Sequence, residues 1–165
     1  MCGGPCQRYA AAAGYALAFT NCALRDPRVT GAFVTVVRAG HAPPNLRGVM
    51  AEGLGNVFSG CFGGQGYQES TYDETGQVLI GLLHDLAPEV RFWVAFALGS
   101  LRYRPALPEL RRLASTDTAW FGGWWTVGEE ASDAIDRIEG REPPERAVGL
   151  FRECDYAPSS FACNG

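Results

Sequence analysis

A proline, two residues, an arginine and then a run of small and apolar residues recur three times along this chain of 165 residues. The copies begin at Pro5, Pro44 and Pro88 and carry Arg8, Arg47 and Arg91. They continue through Ala12, Gly14 and Tyr15, through Ala51, Gly53, Leu54 and Gly55, and through Ala95, Ala97, Leu98 and Gly99. A degenerate fourth copy starts at Trp125 and keeps Val127, Ala131, Ala134, Ile135 and Ile138, in register with Val90, Val94, Ala97, Leu98 and Leu101. The starts lie 39, 44 and 37 residues apart, which is the period of two-helix repeats.

The repeat accounts for its own residue types. Proline suits the first turn of a helix, where its missing N–H has no partner to lose, and small residues at helical spacing let helices approach closely. Amphipathic stretches at 28–37, 77–86 and 107–113 precede the later copies, so each unit reads as helix A, a short turn and helix B. The first copy has a helix B and no helix A before it. One pair cannot bury its apolar stripe alone, and successive pairs must stack. The expected fold is therefore all-α, an α-α solenoid of about four helix pairs with the first incomplete over residues 1–140. A tail over 141–165, with Pro143 and Pro144, follows and is expected to cover the last repeat or to move.

Asp85, Pro88, Glu89, Val90 and Arg91, then Val94, Ala95, Phe96, Ala97, Leu98 and Gly99, then Ala106, Leu107, Leu110 and Leu113 resemble HEAT repeats. The closest likeness is to the HEAT-like repeats of phycobilisome lyase subunits, and it spans about residues 5–140. The resemblance implies stacked helix pairs and a ladder between units, made by an aspartate in the turn and an arginine in helix B. Asp85 and Arg91 fit that ladder, whereas His41 and Cys2 stand in the aspartate slot before Arg47 and Arg8. The repeat type does not fix a function. The expectation is a non-enzymatic protein-interaction module or scaffold in the cytoplasm. The alternative, from the family likeness and the aromatic and cysteine content, is a lyase or chaperone subunit for a tetrapyrrole (bilin) chromophore.

Net charge is −4, all 14 basic residues are arginine, and no basic stripe is visible, so phosphate-backbone binding has little electrostatic drive. No run is long and apolar enough to span a bilayer. The apolar stretch at 9–24 aligns with the repeat and lacks a convincing cleavage site, which argues against a secretory signal. His41 and His84 sit in no metal motif, the chain has no lysine for a Walker-type phosphate loop, and no catalytic residue, cofactor or metal is expected. Cys2 and Cys6 lie near one end and Cys154 and Cys163 near the other. Cys22 and Cys61 occupy equivalent positions and are expected as free thiols, since stacked units sit about 10 Å apart.

Four features locate a binding surface. Positions +4 and +8 of each copy form a stripe, with Tyr9, Glu52, Phe92, Phe96, Glu129 and Asp133 along it. Two phenylalanines between carboxylates suit a protein hot spot, or the glycine-rich insertion at 59–75 folds over Phe92 and Phe96 and makes them ordinary core. Trp120, Phe121, Trp124 and Trp125 around two glycines line a pocket for a flat ligand or cap the core. The glycine-rich stretch at 59–75 is an insertion that serves as a binding loop or a connector. Finally, Ala10 to Gly14 present a small-residue face with no helix A over it, so self-association as a homodimer through the N-terminal helix is expected.

Overall fold

The computed structural model describes residues 12–14, 16–17, 27–58 and 69–146. Among the described residues from 27 onward the helices are α1 (Pro27–Arg38), α2 (Pro44–Phe58), α3 (Glu69–Leu82), α4 (Pro88–Ser100), α5 (Leu107–Thr116) and α6 (Val127–Glu139). A short 3₁₀ turn, Arg104–Ala106, precedes α5, and no strand occurs among the described residues. None of the helices among those residues is long and apolar enough to cross a membrane. Prolines open α1, α2 and α4, and those of α2 and α4 are the prolines of the repeated phrase.

The helices associate as pairs. α1 packs on α2, α3 on α4 and α5 on α6, while α2, α4 and α6 pack successively on one another and make the most extensive contacts. The apolar spine of the repeat is buried: Val90, Val94, Ala97 and Leu98 are fully covered, as are Val127, Ala131 and Ala134 at the matching positions of α6. Leu54, Leu79, Leu83, Leu110 and Leu113 complete one continuous core.

Both junctions between successive B helices use the same register. Gly55 of α2 seats on Ala97 of α4, where an added Cβ would lie 2.9 Å from the Ala97 Cα. Gly99 of α4 seats on Ala134 of α6, where it would lie 2.7 Å from the Ala134 Cα. Glycine and alanine stand at equivalent copy positions in each case, so one close backbone approach is made twice. At the start of the chain, residues 12–14 and 16–17 are helical. Gly14 is buried there against the Met50 side chain of α2, so part of the small-residue face expected to drive self-association is covered by the chain itself, while Ala12 and Ala13 stay exposed.

A pair of arginine–aspartate rungs ties each unit to the next. Arg47 of α2 is 6% exposed and pairs with Asp85 in the turn before α4. Arg91 of α4 pairs with Asp117 in the turn after α5, with Nε–Oδ2 at 2.7 Å and Nη2–Oδ1 at 3.2 Å. Each aspartate also accepts the main-chain N–H two residues on, from Ala87 and from Ala119. Each arginine also donates to its own turn, Arg47 to the Ala42 carbonyl and Arg91 to the Asp85 carbonyl. The side chain thus joins two turns at once. The ladder runs forward from Arg47 and Arg91, and Asp117, which the sequence reading passed over, supplies its second carboxylate.

Two boundaries differ from the sequence reading. α3 begins at Glu69, not at residue 77, and ends at Leu82, so the second half of the stretch read as a glycine-rich insertion is helix. Thr75, Gly76 and Leu79 recur on its buried face, with Gly76 against the Tyr103 ring, while Asp73, Glu74 and Gln77 face solvent. Tyr103 is buried, takes a hydrogen bond from Gln77 and donates to Asp73, and Tyr72 donates to the Leu101 carbonyl. A tyrosine-filled polar contact replaces the leucine stripe that would have marked the helix in the sequence. α6 begins at Val127 behind a capping box, in which Thr126 and Glu129 satisfy each other's N–H groups.

These close approaches give a prediction of sign. Gly99→Val should destabilise the fold by about 1–3 kcal/mol, because backbone of α6 blocks the new side chain. Gly31→Ala, in the open interior of α1 with nothing within 4 Å of an added Cβ, should stabilise it by about 0.5–1 kcal/mol. Denaturant melts of both variants check this, and equal effects would contradict the junction geometry.

Candidate functional site

An aromatic face lies where α4 meets the loop between α5 and α6. The loop is shaped by its main chain: Phe121 N–H donates to the Trp125 carbonyl, Trp124 N–H donates to the Phe121 carbonyl, and Gly123 adopts φ +79°. That left-handed turn favours glycine and folds Phe121, Trp124 and Trp125 back over α4. Phe92 lies at the centre, 1% exposed, with ring centroids of Phe121, Trp93, Trp125 and Trp124 at 5.0, 5.2, 5.8 and 6.1 Å. Phe92 is therefore a core residue, and its assignment to an open binding ribbon is corrected. The described cover over it is the aromatic loop.

Around that centre, Trp93, Phe96, Phe121 and Trp124 stay partly exposed. Trp93 stands edge-on to Trp124 at 5.4 Å, to Phe96 at 5.7 Å and to Phe121 at 5.9 Å. Trp120, next to Phe121 in the same loop, is 63% exposed. Trp93 takes part in the face although the sequence reading assigned it no role; its position one residue after Phe92 was the available signal. The copy stripe itself is not an open ribbon, because its members fill helix junctions. Gly48 abuts Trp93, and Phe96 abuts Gly55 while the Arg137 guanidinium sits over its ring at 5.5 Å.

Glu52 follows Gly48 by four residues and precedes Gly55 by three, so helix geometry sets it between the Trp93 and Phe96 contacts. It is half-buried, and loss of solvation raises its carboxyl pKa to about 7. Burial also raises Glu89, one turn before Trp93 and with Arg47 lowering it and Asp85 raising it to smaller extents.

The carboxylates of α6 do different work. Glu129 belongs to the capping box, which holds its pKa below the ordinary carboxylate range through hydrogen bonds from Thr126. Asp133 is 2% exposed and paired with Arg146. Both are engaged by their own chain, Asp133 and Glu129 alike pairing with Arg146. Glu130 is buried and held by Arg137 and by the Trp125 indole N–H, each at 2.8 Å. Desolvation raises its pKa despite Arg137. Of the predicted site residues, Phe96 and Trp124 stand in the aromatic face, Glu52 lies on α2 between its contacts, and Trp120 is exposed in the same loop as Trp124. Tyr9 and all six cysteines lie outside the described residues, as does residue range 59–68.

His84 packs at hydrogen-bonding distance from Arg112 and Glu109 on the surface, and His41 is exposed. No group of three histidine, cysteine, aspartate or glutamate side chains among the described residues is placed to hold a metal ion. No protein-family model, curated protein or solved structure matches this chain.

The environment of Glu52 has a measurable consequence. Its folded pKa of about 7 stands above the ordinary glutamate value of 4.5, so the fold prefers the neutral acid. The associated stability is present below the lower value and is lost as pH rises through the upper one. Glu52→Gln should therefore match the parent near pH 4 and exceed it in melting temperature at pH 8, with the gap opening between about 4.5 and 7. A difference independent of pH would show that Glu52 is solvated.

Proposed function

We propose that the chain is a HEAT-like α-helical repeat module that binds a protein partner and performs no chemistry of its own, with Trp93, Phe96, Phe121, Trp124 and Trp120 as the contact face. The repeated register of α2 on α4 and α4 on α6, and the arginine–aspartate rung at each step, support stacking of helix pairs into a solenoid. The observation that carries the binding reading is the run of partly exposed aromatic rings in mutual edge contact. A solvated surface rarely collects such rings, whereas tryptophan-rich patches dominate protein hot spots. Their rigidity keeps the ordering cost of binding low, and Glu52 at the edge supplies a polar feature for orientation.

The face is tested by photo-crosslinking. A photoreactive phenylalanine in place of Trp120 should form a discrete adduct with one protein in extract from the source cells, and the same probe at Arg111 on α5 should not. Trp120→Ser should abolish that adduct from a second probe at Trp124, while changing stability by less than about 0.5 kcal/mol. Equal labelling from Arg111, or capture unaffected by Trp120→Ser, would contradict the assignment.

A further inference from the structure

The segment after α6 turns back along the helix that precedes it. Gly140 caps α6 at φ +81°, which reverses the chain, and Pro143 and Pro144 stiffen the following residues as an extended strap. An arginine stands at each end. Arg141 pairs with Asp136, Nε–Oδ1 at 2.8 Å, and with Glu139. Arg146 reaches back to the start of the helix. Its Nε and Nη2 meet the two Asp133 carboxylate oxygens at 2.7 Å each, Nη1 donates to Glu129 Oε1 at 3.2 Å, and Nη2 donates to the Glu129 carbonyl at 3.4 Å. The guanidinium carbon sits 5.6 Å from the centroid of the Trp125 ring.

We propose that this pocket of Asp133, Glu129 and Trp125 is a recognition site for an arginine side chain of a partner segment, and that the chain's own strap fills it in cis as a competing ligand. The chemistry of the ligand is given by the occupant. A forked carboxylate pair, a second carboxylate and an aromatic ring are the set that a planar guanidinium satisfies and an ammonium does not. These hydrogen bonds and the ring contact of Arg146 are all made by its guanidinium, so an arginine arriving on another chain meets the same partners. Asp133 is buried beneath its occupant, and removing the arginine without replacement leaves an uncompensated carboxylate. The site therefore exchanges one arginine for another instead of standing empty. Glu129, Asp133 and Asp136 follow at four and three residues along one face of α6, which matches two arginines spaced across a Pro-Pro pair. A short tether holds the strap at an effective concentration of about millimolar, so it sets the affinity that an outside ligand must exceed.

The test uses the full chain and the strap's own sequence, the hexapeptide Arg-Glu-Pro-Pro-Glu-Arg, with the Trp125 neighbourhood read by tryptophan fluorescence. Arg146→Ala should bind the peptide at least about tenfold tighter than the parent, because the tethered competitor is gone. Adding Asp133→Asn, or replacing the peptide arginines by citrulline, should abolish binding. Where Arg146→Ala unfolds alone, recovery of helical circular dichroism on adding peptide reports the same exchange, and no recovery overturns the proposal. Equal affinity of parent and variant, or no binding to a folded Arg146→Ala, overturns it as well. A parent that sediments as a dimer and becomes a monomer in Arg146→Ala would mean that straps are exchanged between copies, and would overturn occupancy in cis.

Discussion

The pairing of Arg47 with Asp85 and of Arg91 with Asp117 is the constraint on which the arrangement of helices depends. Each pair is largely withdrawn from water, so its geometry cannot drift without exposing a desolvated charge. Each aspartate also closes its own turn by accepting an N–H two residues ahead, and each arginine also holds a turn carbonyl. One four-atom device therefore fixes the exit of a helix A, the entry of the next helix B and the distance between units. Glycine and alanine at matched positions make the complementary demand, since Gly55 on Ala97 and Gly99 on Ala134 admit only one depth of approach. Charge sets the register and missing side chains set the spacing.

Among the described residues α6 is the last helix of the series. Its outer carboxylates are met by Arg141 and Arg146, and the aromatic loop closes over Phe92. The loop buries one ring fully and leaves four others partly exposed, so a capping element and a contact face are built from the same residues. That economy is why Trp125 belongs to three environments at once: the core through Phe92, the buried Glu130 through its indole N–H, and the arginine pocket through its ring.

The helical class, the helix-B spine and the starts of α2 and α4 were legible in the sequence, because Val90, Val94, Ala97 and Leu98 repeat at helical spacing behind a proline. α3 was read short because its buried face holds Thr75 and Gly76, with Tyr103 from another segment supplying the apolar bulk. Asp117 was missed because seven residues of aromatic loop separate it from the fourth copy, which displaces it from the slot that Asp85 occupies. Phe92 misled for a related reason: a helix stripe shows which residues share a side, not which outside segment will cover that side. Trp124 was legible as aromatic but its contact with Trp93 was not, since that meeting depends on the φ of Gly123. The carboxylates of α6 had helical spacing on the page, whereas their arginine sits thirteen residues away for Asp133, beyond any local rule.

The most direct measurement of this account is a double-mutant cycle on Arg91 and Asp117, using Arg91→Met, Asp117→Asn and the double variant in denaturant melts. The exposed pair Arg38 and Glu74, 3.7 Å apart, is the reference. A rung that ties adjacent units should show a coupling of about 2 kcal/mol or more against less than about 0.5 for the reference. A coupling at Arg91 and Asp117 no larger than that of the exposed pair would contradict the claim that these rungs hold the helix pairs in register.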